Sequence, residues 1–119
     1  INYGGHLGND SLLSIIHEAR VRFLNFLGYS ESNVEGVGII MIDSAIQYKS
    51  EGFYGDEILV EIAVNDFSGI GCDIVYRLTN KNSKKEIALA KTGIVFFDYE
   101  KRKTATVPPE FKKKIEEMN

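Results

Sequence analysis

The chain has 119 residues, 44% hydrophobic and 26% charged, with a formal net charge of −3; this is the balance of one compact globular domain spanning 1–119, and too little chain for two. No apolar run reaches the roughly 18–20 residues of a membrane-spanning helix, and the longest, Leu12 to Leu27, is broken by His17, Glu18, Arg20, Arg22 and Asn25. Basic residues are scattered among acidic ones, which argues against nucleic acid as a partner, and the one cysteine, Cys72, excludes an internal disulfide and any multi-cysteine metal site.

Residues 1–9 read as a glycine-rich loop, Ile1-Asn2-Tyr3-Gly4-Gly5-His6-Leu7-Gly8-Asn9. The start has no signal-peptide pattern. A free cysteine suits a reducing compartment, so a cytoplasmic protein making no membrane contact is expected. Residues upstream of Ile1, with an N-terminal strand among them, are also expected. A helix follows the loop, with Asp10 or Ser11 as N-cap. Leu12, Ile16, Ala19, Phe23 and Phe26 recur on one helical face. Leu13, Ile15, Val21, Leu24 and Leu27 widen that face, which predicts burial by more than one neighbour. Gly28 supplies a natural stop.

Beyond residue 35 the period becomes two. Val37, Ile39 and Met41 open a run toward Tyr48; Ile58, Val60, Ile62 and Val64 form the next, with Glu61 and Asn65 on its other side. Cys72, Ile74, Tyr76 and Leu78 then alternate with Asp73, Arg77 and Thr79, and a last run extends from Glu86 to Phe97. The breaks at Ser50 to Glu57, Ser68 to Gly71 and Asn80 to Lys85 are short, so the pairs are predicted antiparallel. Pro108 and Pro109 open a terminal helix with Phe111 and Ile115 as its apolar residues. The pattern is α+β: one long central helix wrapped by a curved antiparallel sheet. An open sheet edge would remain, which pairing with a second copy covers.

Gly5-His6-Leu7-Gly8-Asn9, then Leu12, then Glu18-Ala19-Arg20 resembles the opening of the 4-hydroxybenzoyl-CoA thioesterase-like hotdog family, with its Gly-His-x-x-Asn loop before a long helix. Gly55-Asp56-Glu57 resembles its Gly-Asp-Glu turn. Phe97-Asp98, a basic turn and Pro108-Pro109-Glu110 resemble its usual ending. The resemblance covers nearly the whole chain. It implies a hotdog fold, hydrolysis of an acyl-CoA or acyl-carrier-protein thioester, no metal or organic cofactor, and a homodimer or homotetramer. Three departures bear on mechanism. Asn2 stands where many members place a catalytic aspartate, Leu12 where a tyrosine is common, and Gly8 where many have a first asparagine. An amide neither takes a proton from water nor forms an acyl-anhydride.

Thioester hydrolysis needs donors for the oxyanion and a group that activates water. N–H groups around Gly8, Asn9 and Asp10 are expected at the positive end of the helix dipole, and Gly4, Gly5 and Gly8 allow close backbone approach. His6 is a candidate base or carbonyl polariser, with Asn2 orienting water or substrate. Glu18 lies about 13 Å along the helix from its start and would reach such a site only from a second subunit. Plainer roles stand beside these: a turn for Asn2 and for Asp56, an ion pair with Arg22 for Glu18, a structural ion pair for Arg20, and a solvated or interface position for His17. Lys81, Lys84, Lys85, Lys101, Arg102 and Lys103 flank turns and are available to coenzyme A phosphates or to solvent. Two other functions fit a hotdog domain, enoyl-CoA hydration and non-catalytic acyl-CoA binding.

Overall fold

The computed structural model describes residues 12–51 and 55–118, and the backbone of residues 2–6. Strand β1 (Asn2–His6) precedes helix α1 (Leu12–Phe26); β2 (Gly38–Tyr48), β3 (Glu57–Asn65), β4 (Gly71–Asn80), β5 (Glu86–Asp98) and β6 (Lys103–Ala105) follow, and α2 (Pro109–Met118) ends the chain. All the strands join one antiparallel sheet in the order β1-β3-β4-β5-β2, with β6 folding back on β5. This is the expected hotdog arrangement, with α1 as the filling. Among the described residues, no helix is long and apolar enough to cross a membrane.

The first segment corrects the reading of residues 1–9 as a loop. Asn2–His6 is a strand paired with β3, and the N-terminal strand expected upstream of Ile1 is formed here, within the chain. The free N–H and C=O groups along the β3 edge outweigh the entropy that glycine loses on becoming extended. The proposed N-caps, Asp10 and Ser11, lie outside the described residues.

Helix α1 buries Ile16, Ala19, Phe23 and Leu24 against the sheet, with Arg20 among them. Phe26, expected on that face, is exposed, because a period of 3.6 rotates it away and gives its place to Leu24 and Leu27. Gly28 stops the helix as expected. At a φ of 90° it lets its own N–H reach the Asn25 carbonyl, while the Tyr29 N–H reaches that of Leu24; these are the paired bonds of a Schellman cap. Helix α2 closes this end of the molecule. Phe111 meets Tyr29, Phe67 and Phe96 with ring centroids 6.1, 6.3 and 5.3 Å apart. Lys114 Nζ donates to the Leu27 carbonyl at 2.8 Å. Fully burying a phenylalanine such as Phe96 or Phe111 contributes about 1.5–3 kcal/mol.

The core side of the sheet is not covered evenly. In β3 and β4, every second residue (Ile58, Val60, Ile62 and Val64; Cys72, Ile74, Tyr76 and Leu78) is buried. Met41, Ser44, Ile46 and Tyr48 of β2 stand in register with Ile94, Thr92, Ala90 and Ala88, the buried residues of β5, and so face the same side. Yet Met41 and Tyr48 are 52% and 66% exposed. Ile39, opposite Phe96, is buried and Ile46 packs in part against the core, so β2 is open at Met41 and Tyr48 and not along its whole length.

Candidate functional site

The β1–β3 register separates two of the candidate residues. Asn2 lies opposite Glu61, Gly5 opposite Ile58 and His6 opposite Glu57. Four strand positions put Asn2 and His6 about 13 Å apart along the strand. His6 ends β1, and residues 7–11 join it to the start of α1. The helix start therefore lies at the His6 end of the sheet and away from the Asn2 end. Gly8, Asn9 and Asp10 lie outside the described residues, as do the side chains of Asn2 and His6.

A carboxylate stands on each of these two rows, a pairing the sequence reading missed. Glu57, beside His6, accepts a 2.6 Å bond from Lys81. Glu61, beside Asn2, receives both Nε and Nη2 of Arg77 at 3.0 Å. This paired hydrogen bond holds the Glu61 carboxyl below its ordinary pKa, so it is a poor proton acceptor. The strand period assigns Glu61 to the outward face, but only the pairing of β1 with β3, nearly sixty positions apart, brings it to Asn2.

Two cavities flank this region. One, of about 400 Å³, sits at the His6 end between the β2–β3 and β4–β5 connections, lined by Ser50, Glu51, Asp56, Asn80, Ser83 and Lys85. Asp56, expected as a turn residue, immediately precedes β3 and faces this space. The other, a groove of about 520 Å³, runs over Glu61, Ala63, Val75, Arg77 and Leu89 on the side of the sheet away from α1. The six basic turn residues fall into two groups. Lys81, Lys84 and Lys85 stand at the His6 end, whereas Lys101, Arg102 and Lys103 lie on the β5–β6 hairpin at the far end of the thirteen-residue strand β5. Among the described residues, no group of three His, Cys, Asp or Glu side chains can hold a metal ion.

On α1, which starts at Leu12, Glu18 lies about 9 Å along the axis from the helix start and not the expected 13 Å; it faces outward and bonds Arg22 at 2.8 Å, the ion pair weighed as its plainer role. Arg20 makes the structural ion pair expected of it, with Nε 3.1 Å from Glu31 Oε2. The hydroxyl of the buried Tyr76 is 2.8 Å from Thr92 Oγ1. Burial disfavours the Arg20 charge, but the surroundings supplied by Tyr76 and Glu31 more than offset it and raise the pKa. Burial likewise pushes the Tyr76 phenol up. Arg20 Nη2 lies 2.9 Å from Nδ1 of His17, whose ring is at the surface.

A sequence model of the thioesterase-like superfamily matches residues 1–115. No curated protein matches the chain. Among solved structures, a 1,4-dihydroxy-2-naphthoyl-CoA thioesterase from Synechocystis superposes with a TM-score of 0.83 at 21% identity, over 96% of this chain and 93% of that one. A protein from Staphylococcus aureus in complex with CoA gives 0.84 at 16% identity, over 98% and 81%. A gentisyl-coenzyme A thioesterase gives 0.78 at 14% identity, over 94% and 99%. With the family match extending over nearly the whole sequence and the hotdog fold in place, the chain belongs to the thioesterase-like superfamily and is a thioester hydrolase.

Proposed function

We propose that the protein hydrolyses an acyl-CoA, with His6 and the start of α1 as the reacting centre. The observation that carries this reading is that β1 ends in His6 at the same end of the sheet where α1 begins. N–H groups at the start of the helix, at the positive end of the dipole, receive the carbonyl oxygen as it gains charge. His6 takes a proton from water as the water oxygen bonds to the thioester carbon, and returns a proton to the sulfur of coenzyme A as the carbon–sulfur bond breaks. Gly5, Gly8, Asn9 and Asp10 are the residues against which the thioester rests. Asn2, four positions back along β1, is set apart from that centre. Lys84 and Lys85 stand at the correct end for the coenzyme A phosphates. The carrier-protein ester is the competing substrate, and the CoA complex among the structural neighbours favours the free coenzyme.

The protein works in this reading as a homodimer. β2 is an eleven-residue strand at the edge of the sheet, bulged between Met41 and Asp43, with Ile42 61% exposed. An edge that long and apolar pairs readily with another strand. Antiparallel pairing with β2 of a second copy continues the sheet and brings the outward face of a second α1, with its Glu18, toward the crevice between the subunits. A homotetramer follows where two such dimers associate.

The test is thiol release from a panel of aliphatic and aromatic acyl-CoAs, with sedimentation in parallel. His6→Ala is expected to lower kcat at least a hundred-fold, as for a lost acid–base group, with the dimer intact. A folded dimer that releases no thiol from any member of the panel overturns the reading and leaves acyl-CoA binding or hydration in its place.

A further inference from the structure

One face of the sheet is filled by α1, and the face turned away from it is less polar than strand alternation leads one to expect. On a solvated face every second residue is polar. Here Leu59 of β3, Val75 of β4, Leu89 and Val95 of β5 and Ile40 of β2 take outward positions and are half-buried. Ala63, Val75 and Leu89 line the groove of about 520 Å³ on this face. Its charges are matched within the face. Arg77 donates to Glu61 through two nitrogens at 3.0 Å, and Lys91 Nζ stands 3.8 Å from Asp43 and 3.9 Å from Asp73. Three carboxylates set against two cations leave little net field to draw a polyanion or a strongly basic partner. Matched pairs are also covered by another surface without stranding a lone charge. The exposed apolar residues of α1 form no such surface. Leu13 and Phe26, 56% and 65% exposed, stand about 140° apart around the helix and roughly 20 Å apart along it.

Resting on the homo-oligomeric reading above, we propose that this outward face is where two edge-paired dimers associate, sheet against sheet, so that its occupant is a second copy of this chain. Side chains of the facing sheet fill the groove over Ala63, Val75 and Leu89, at the spacing of about 10 Å usual for packed sheets. The size of the face fits. Strands about 4.8 Å apart, rising about 3.3 Å per residue, give the outward side of β2, β5, β4 and β3 roughly 500 Å². Two such faces on each dimer bury roughly 2,000 Å² in total, the extent of a stable interface. The face is also continuous with the dimer edge. Strand β2, which pairs in the dimer, carries Ile40 outward opposite Val95, and Ile42, the residue after core-row Met41, points the same way. Edge pairing therefore joins the outward faces of two subunits into one.

The experiment is sedimentation of the unmodified protein, Leu89→Lys, Ala63→Glu and Phe26→Glu, with far-ultraviolet circular dichroism to confirm folding. The unmodified protein is expected to be a tetramer at micromolar concentration. Leu89→Lys adds a cation directly opposite Arg77, and Ala63→Glu adds a carboxylate two positions from Glu61 on the same face. Each is expected to weaken dimer–dimer association by about a hundred-fold or more, since the added charge has no match in the facing sheet, and to leave a folded dimer. Ala63 is exposed, so its variant tests the face where Leu89→Lys fails to fold. Phe26→Glu is expected to remain a tetramer. A tetramer unmoved by both groove variants, or dissociated only by Phe26→Glu, overturns the proposal and leaves the edge-paired dimer standing. So does an unmodified protein that stops at a dimer which the groove variants do not split. A dimer that they do split into monomers supports the sheet-to-sheet contact and overturns the edge pairing instead. A monomer that persists at micromolar concentration overturns both.

Discussion

Single cross-strand rows of the sheet pass from a sealed region to an open one within two strands. Leu78 of β4 and Ala88 of β5 are both 0% exposed, and Tyr48 of β2, next in the same row, is 66% exposed. Toward the other end, Cys72 and Ile94 are 4% and 1% exposed and Met41 is 52% exposed. The residue types do not cause the difference, since each row is apolar throughout. Coverage does: the core closes β3, β4 and β5, and reaches β2 only at Ile39 and, in part, at Ile46. The sealed region supplies folding free energy, and the open one is the apolar surface to which the proposed function assigns a second subunit.

The comparison breaks most visibly in its sealed half. Leu78→Ala is expected to cost about 2–5 kcal/mol, the transfer term plus the cavity left under α1, read as a fall in the denaturation midpoint. Tyr48→Ala, in the same row, is expected to change monomer stability by less than about 1 kcal/mol. Its effect belongs in dimer affinity and in KM for acyl-CoA. Equal losses of stability from the two variants would show that β2 is as covered as β4.

A smaller effect separates the regions by pH. Burial in an apolar setting, with a lesser contribution from the Asp73 charge, pushes the Cys72 thiol up to about 12. The unfolded chain releases that proton near 9, the ordinary value, while the folded state retains it. Stability therefore falls as pH rises through that interval. Cys72→Ala is expected to flatten the alkaline loss relative to the unmodified protein in denaturant titrations at pH 8 and pH 10. The native thiol should also resist a thiol reagent at pH 8, where thiolate is needed for reaction. Rapid labelling would mean that this end of the core opens.

How much of this was legible in the sequence depended on whether the deciding contact was local. The helix phase through Ile16, Ala19 and Phe23, the Gly28 stop, the Glu18–Arg22 pair and the Phe111–Ile115 face of α2 each follow from neighbours within a few residues, and each is present. The β1 strand did not show, because glycines read as a loop until the β3 edge, more than fifty residues away, supplies their partners. The alternation of β2 is as regular as that of β3, and period alone does not distinguish a covered strand from an uncovered one. For the same reason the rows uniting Asn2 with Glu61 and His6 with Glu57 were not visible in the sequence. Asn2 and His6 are close in the chain, which suggested a shared site, yet an extended backbone holds them apart.

The smallest expected effect is the most discriminating for Glu18. Its partner Arg22 lies one turn on, and the two side chains are 55% and 56% exposed, so the pair contributes about 0.3–0.5 kcal/mol at most. Glu18→Gln keeps the shape and removes the charge, and is expected to leave the thermal midpoint within about a degree or two, since 1 kcal/mol shifts a domain of this size by roughly 4–8 °C. With folding so little affected, the activity assay reports on the site alone. A ten-fold or greater fall in kcat, with KM unchanged and the dimer intact, assigns the carboxylate to the reacting centre of the other subunit. Unchanged kcat confines it to its pair with Arg22. In that case the open region needs the second copy to complete the crevice, without needing a carboxylate from it.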